Sequence, residues 1–251
     1  MSPTFRRIAA ALGLLLVAGC GRDGGRAGQA AQEKSEAASY LAPPAAAAYA
    51  NGVLSGTAAP GAQVRLATPS GEATITEAGR DGRWQVRLPP AAAARIFGLS
   101  MTAGGRQVQA QGYVLVAPGG QAAALRSGGG SIRLDRQRPG MGTLDFDRGG
   151  GAVLSGPAPP GAVVLVRQDG RQVAEGRADA AGRFSIALPP ADSGRHRLEV
   201  FGDGFQDAAV VETQPAPPLA GGPLRSQLSG AGLRADWLTP GGGVQSTVLI
   251  D

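Results

Sequence analysis

The sequence predicts an all-β protein built as two tandem β-sandwich units, and three observations carry that expectation. Residues 53–90 repeat at 153–190 without a gap: fifteen of the thirty-eight positions are identical, and "VLSGTAAPGA" returns as "VLSGPAPPGA". Short stretches alternate apolar with polar residues, the period of a half-buried strand. Gly- and Pro-rich turn signals separate those stretches, and no helical period of useful length follows residue 50.

The chain opens with a targeting signal. Arg6 and Arg7 precede an apolar run of eleven residues, "IAAALGLLLVA". That run is too short to span a bilayer as a permanent helix. It ends in Val17-Ala18-Gly19-Cys20, small residues before the only cysteine. These residues resemble the lipobox of bacterial lipoproteins. The resemblance implies a signal peptide over 1–19, cleavage before Cys20, and a lipid on its sulfur. Gly21 rather than Asp follows Cys20, which resembles an outer-membrane sorting signal. Residues 20–50 are then expected to be the lipidated Cys and a Gly-, Ala- and polar-rich flexible linker.

Beyond the linker, "AQVRLAT" and "RWQVRLP" read as strands of the first unit, and "VVLVRQ" and "RLEVF" as strands of the second. "RQVQAQGYVLVAP" reads as one long or bent strand. Turns are expected at Pro60-Gly61, Asp81-Gly82, Pro160-Gly161, Asp169-Gly170 and Ala181-Gly182. The repetition continues past residue 90: "IRLDRQRPGMG" at 132–142 reappears as "LRADWLTPGGG" at 233–243. Repeat one is therefore placed at 51–150 and repeat two at 151–251. Seven or eight short strands in about 100 residues suit a sandwich. "SGTAAPGAQVRL…GRDGRWQVRLPP" and "SGPAPPGAVVLV…DAAGRFSIALPP" resemble bacterial Ig-like and carboxypeptidase-regulatory-like repeats. The resemblance implies an Ig-like sandwich for each unit and says almost nothing about chemistry.

Composition narrows the function classes. The net charge of +5 falls to about +3 without Arg6 and Arg7. No basic run is interleaved with aromatics, so no nucleic-acid partner is expected. With one His, and one Cys assigned to lipid, the usual zinc ligand set is missing. Neither G-x-S-x-G nor a Walker sequence occurs. His196, the only histidine, lies at the start of a strand that the first copy is expected to lack, and reads as a surface or edge residue. Asp145 and Asp147 share one face of "LDFD"; alternation with Leu144 and Phe146 points the acids to water and the apolar pair to the core. Turn acids Asp81, Asp179, Asp203 and Asp207 would be calcium ligands only if a loop gathered three of them. No catalytic residue, metal or cofactor is expected.

One motif is left over. In "LRADW", Arg234 and Asp236 share one strand face opposite Leu233, Ala235 and Trp237, as Arg133 and Asp135 do opposite Ile132 and Leu134. Pro-Gly-x-Gly then reverses the chain into "TLDFD" or "VQSTVLID", reading as a closing hairpin with a polar outer face. The copies diverge at Trp237 and Gln245. Arg234, Asp236 and Trp237 are the candidate binding residues; Trp237 reads as a core ring or, if exposed, as a platform for a sugar. The expected function is a non-catalytic envelope lipoprotein, held at the outer membrane by its lipid, that presents a surface or acts as a spacer. A carbohydrate- or peptidoglycan-binding module is the alternative. An enzyme with an unfamiliar carboxylate site ranks below it, and a subunit pairing strand edges with another envelope protein is a further reading.

Overall fold

Antiparallel strands dominate the computed structural model, which describes residues 41–251; among these no helix occurs. The first nine strands are β1 (Ala45–Ala50), β2 (Val53–Thr57), β3 (Gln63–Ala67), β4 (Ala73–Glu77), β5 (Arg83–Arg87), β6 (Arg95–Ala103), β7 (Arg106–Val116), β8 (Ala122–Leu125) and β9 (Ile132–Arg133). There follow β10 (Thr143–Asp147), β11 (Ala152–Pro157), β12 (Val163–Gln168), β13 (Arg171–Arg177), β14 (Arg183–Leu188), β15 (Arg195–Gly202) and β16 (Phe205–Glu212). The last three are β17 (Leu224–Ser229), β18 (Gly232–Leu238) and β19 (Val244–Ile250).

They form four sheets. Sheet A runs β1-β2-β5, sheet B β4-β3-β6-β7-β8-β9, sheet C β14-β11-β10-β19-β18-β17, and sheet D β13-β12-β15-β16. Leu54, Trp84, Leu66 and Phe97 belong to the core between A and B. Leu144, Phe184, Val164 and Val200 belong to the matching core between C and D. A third apolar layer joins Ile96, Leu115 and Leu125 of sheet B to Leu233, Trp237 and Leu249 of sheet C. Strand β8, most of β6 and the second half of β7 are thus covered on both faces. That explains why "IFGLSM" and "YVLVA" are near-continuous apolar runs. In contrast β5 and β14 strictly alternate buried with exposed residues, because one face meets water.

The repeated decapeptide does the same work twice. Ala62 N–H bonds Ala59 O and Ala162 N–H bonds Pro159 O, each at 3.0 Å. The turn between has Pro second and Gly third, with φ +68° at Gly61 and +76° at Gly161. This is the type II geometry that only glycine adopts without strain. Gly56 and Gly156 sit upstream, each beneath the core aromatic of its sandwich. A Cβ on Gly56 would run into Ala45 O and the Trp84 ring; on Gly156 it would run into Gly140 O and the Phe184 ring.

Three local expectations change. Ala45–Ala50 lies in the segment read as tether, yet it forms β1 and pairs with β2. Five alanines and a tyrosine carry no strand period, so the neighbouring strand imposes the extended backbone. β10 falls at the end of the first copy in the repeat alignment, yet it pairs with β11 as β1 pairs with β2. Both sandwiches therefore begin upstream of residues 51 and 151. The strand carrying His196 does have a counterpart: β6 pairs with β3 and β7 as β15 pairs with β12 and β16. It was hidden because double burial erases the alternating pattern.

Gly56→Ala and Gly156→Ala are each expected to cost about 1–3 kcal/mol or more through overpacking. Gly98→Ala, where the nearest atom to a new Cβ is 3.9 Å away, should stay within about 0.5 kcal/mol. Urea denaturation midpoints decide this.

Candidate functional site

Strand β18 carries the candidate residues and places its two faces in two different layers. Leu233, Ala235 and Trp237 face sheet B; Trp237 is completely buried and meets Tyr113 edge-on, ring centroids 5.9 Å apart. The ring therefore offers no face to a sugar, and the core alternative for Trp237 is the one the fold adopts. Arg234 and Asp236 do share the opposite face, as the alternation requires, but that face is buried rather than wet. Arg234 Nε donates to Asp236 Oδ1 at 2.9 Å, and Arg234 Nη2 donates to Gln214 O and Ser246 Oγ at 2.7 and 3.1 Å. Its guanidinium also lies over the Phe146 ring, 5.2 Å from the centroid.

Asp236 takes two further donors, the Arg225 guanidinium at 2.8 Å and the Ser246 hydroxyl at 2.7 Å. Burial alone would raise its carboxyl, but the hydrogen bonds from Ser246, Arg225 and Arg234 hold it below the ordinary value. The pair is thus satisfied within the fold. The Pro-Gly-x-Gly turn after it closes the β18–β19 hairpin, with Thr239 N–H bonded to Gly243 O at 2.8 Å.

The first copy of the motif behaves differently. Arg133 makes a two-pronged pair with Asp135, at 2.8 and 2.6 Å, but β9 does not pair with β10. The expected hairpin is absent from this copy, because β10 crosses into sheet C and finds its partners there. Arg133 Nη1 instead donates to Ile250 O at 2.7 Å, and Arg136 Nη1 donates to the same carbonyl at 2.7 Å. Two arginines of the first repeat thereby grip the last strand of the second.

The densest polar cluster lies where the repeats meet. Asp145 sits directly opposite Thr247 in the β10–β19 ladder and is buried, not turned to water as the alternation suggested. The face that would be wet in an isolated sandwich is covered here by sheet B. Four donors reach its carboxylate: Ser131 N–H and Thr247 hydroxyl at 2.5 Å, Ser131 hydroxyl at 2.8 Å, and the Gln245 amide at 3.0 Å. Trp237 Nε1 donates to Thr247 Oγ1 at 3.0 Å, which links the central ring to the acid. Gln245 also bonds Arg126 O at 2.9 Å and takes Gly128 N–H at 3.2 Å, holding the β8–β9 loop. Burial pushes the Asp145 carboxyl above the ordinary value, opposed by its hydrogen bonds. Ser131 and Thr247 went unnoticed in the sequence, although three consecutive polar residues inside "VQSTVLI" break the strand period.

Remaining candidates take structural places. Asp147 is exposed and caps its own turn by accepting Gly149 N–H at 2.8 Å. Asp81 and Asp179 accept turn N–H groups, and Asp207 accepts Met141 N–H at 3.0 Å. Among the described residues no three His, Cys, Asp or Glu side chains gather to hold a metal ion. His196 joins β15 to two loops: Nδ1 lies 2.8 Å from Asp169 Oδ2, and Nε2 lies 2.8 Å from Asp192 O. Both partners accept, so the protonated ring suits both, and the hydrogen bond to Asp169 raises its pKa most. Val17, Ala18, Gly19 and Cys20 lie outside the described residues.

Comparison with known proteins supplies a fold family for the second repeat: residues 144–214 match the bacterial Ig domain model. No curated protein matches the sequence. Among solved structures, a "Biofilm associated protein - BSP domain" is 14% identical over 70% of this chain and 30% of its own, TM-score 0.25. The "Central Fibronectin-III array of RIM-binding protein" is 13% identical over 84% of this chain and 86% of its own, TM-score 0.26. Invasin, titled a bacterial integrin-binding protein, is 12% identical over 84% of this chain and 54% of its own, TM-score 0.20. The matched start at 144 coincides with β10, the first strand of the second sandwich.

Asp145→Asn should cost about 1–3 kcal/mol, since an amide NH₂ would face donors that now meet carboxylate oxygens. Urea midpoints near neutral pH measure it. For His196 the folded pKa is raised, so its contribution is fully present below about pH 6.5 and fades as pH rises through the folded value. The melting-temperature gap between wild type and His196→Gln should be widest near about pH 5.5 and narrow as the pH rises through the raised folded pKa.

Proposed function

We propose that this chain is a non-catalytic structural or interaction module of the bacterial cell envelope. In this reading a lipid on Cys20 holds it at the outer membrane, and two joined Ig-like sandwiches form a stiff presenting body. The observation that carries the body is the three-layer packing: the repeated Arg–Asp pairs and both tryptophans are consumed inside it. What it offers a partner is strand edges, turns and outer sheet faces. The bacterial Ig match over 144–214 is compatible with the same reading, since modules of this kind serve as spacers, adhesive parts and accessory domains. The anchor rests on Val17-Ala18-Gly19-Cys20 at the end of the apolar run. The envelope partner is a protein or a polysaccharide.

Growth with a radioactive fatty acid tests the anchor. Wild type should carry label and fractionate with the membrane, and Cys20→Ser should lose both. A Cys20→Ser protein that matures and fractionates like wild type would overturn the lipoprotein reading.

A further inference from the structure

Eight strands lie at sheet edges, and most of those edges are guarded against pairing with another chain. β13 carries Arg171, Glu175 and Arg177; β16 carries Asp207 and Glu212; β5 carries Arg83 and Arg87; β4 ends in Glu77; β14 begins at Arg183; β9 is two residues long. On β1, Tyr49 N–H is taken by Leu134 O at 2.8 Å. Charges, brevity and covering contacts are the usual protections of an edge. β17 has none of them. Its single charge, Arg225, is locked to Asp236, and Ser226–Ser229 is uncharged and exposed on both faces. Leu228 is 80% exposed, the most exposed large apolar side chain among the described residues.

The ladder shows which backbone groups are free. Leu238 N–H donates to Pro223 O at 2.9 Å, so 223/238 is a hydrogen-bonded pair. Alternation then makes 225/236, 227/234 and 229/232 bonded pairs as well. Leu224, Ser226 and Leu228 therefore point N–H and C=O outward, and no described residue takes them.

We propose that β17 is a self-pairing edge through which two copies of this chain associate antiparallel about a twofold axis, joining their two sheets C. Outward groups must meet outward groups, so Ser226 lies opposite Ser226 of the second copy and Leu224 opposite Leu228. Each Leu228 is then covered by a Leu224 already packed beside Trp237, and Arg225 lies opposite Gln227, with no like charges facing. Other even registers leave Leu228 opposite Ser226 or past the strand end, or set Leu228 against itself with only residues 227–229 of each strand paired. A twofold contact of this kind closes on itself and stops at the dimer. Two six-residue strands bury less than a standard interface of about 1,200 Å². The association is therefore weak in solution and populated where copies share one surface at about millimolar effective concentration.

The strand pairing itself needs no lipid; only its population at a shared surface rests on the anchor reading. The pairing is therefore tested on the full chain carrying Cys20→Ser. Sedimentation velocity up to about 1 mM should show a concentration-dependent monomer–dimer equilibrium. Ser226→Lys and Ser226→Glu, each placing like charges opposite one another, should weaken it at least about tenfold. An equimolar mixture of the two variants should restore association, because lysine then meets glutamate. Unchanged fluorescence of buried Trp84 and Trp237 verifies that the variants are folded. A wild type that stays monomeric to about 1 mM overturns the proposal and leaves the edge to a foreign strand. So does undiminished dimerisation of either variant, or a mixture that associates no better than its components.

Discussion

Everything that joins the two repeats depends on one strand pairing, β10 with β19. Each is the last strand of its copy in the sequence repeat, and they run antiparallel from Thr143↔Leu249 to Asp147↔Gln245. The pairing extends a three-stranded sheet, the equivalent of sheet A, to six strands. It also carries the β17–β18 hairpin to where Leu233, Ala235 and Trp237 can cover sheet B. Without that pairing, sheet B would expose Ile96, Leu115 and Leu125, and the second sandwich would expose an edge. Residues 41–251 consequently form one compact unit rather than two domains on a hinge.

The same pairing forces an acid into the interior. Asp145 must occupy the face of β10 turned toward sheet B, because Leu144 and Phe146 are needed in the other core. An unpartnered carboxylate there would cost several kcal/mol in desolvation. Four donors offset the cost, and two of them, Thr247 and Gln245, come from the paired strand itself. A register slip by one residue would remove both donors and turn Leu144 into the polar layer. The network therefore selects the register more than it adds net stability.

Duplication left two copies of one Arg-x-Asp motif with unlike duties. In the second copy Arg234 and Asp236 are buried on the strand of a closed hairpin, where Arg225 and Ser246 complete the hydrogen bonds of the Asp236 carboxylate. In the first, Arg133 keeps its Asp partner but turns its free N–H toward Ile250 O. A motif that repeats in sequence thus becomes an internal brace in one place and a clasp between repeats in the other. The difference comes from the strand that follows: β19 folds back on β18, whereas β10 leaves β9 for the neighbouring sheet.

The all-β class, the duplication, the Pro-Gly turns and the one-sided strands β5 and β14 were legible in the residues. Each rests on a local rule: a period of two, a glycine at positive φ, a self-match at fixed spacing. The alternation of Arg234 and Asp236 with Leu233, Ala235 and Trp237 was legible too, but not which face met water. β1, β6 and the burial of Asp145 were not legible: the alanine-rich stretch of β1 takes its extended form from β2, and the second faces of β6 and β10 are covered by residues far away in the chain. Local periodicity tells which side chains share a face. What covers that face depends on which strand arrives beside it, and here a third apolar layer covered faces that an isolated sandwich would have left in solvent.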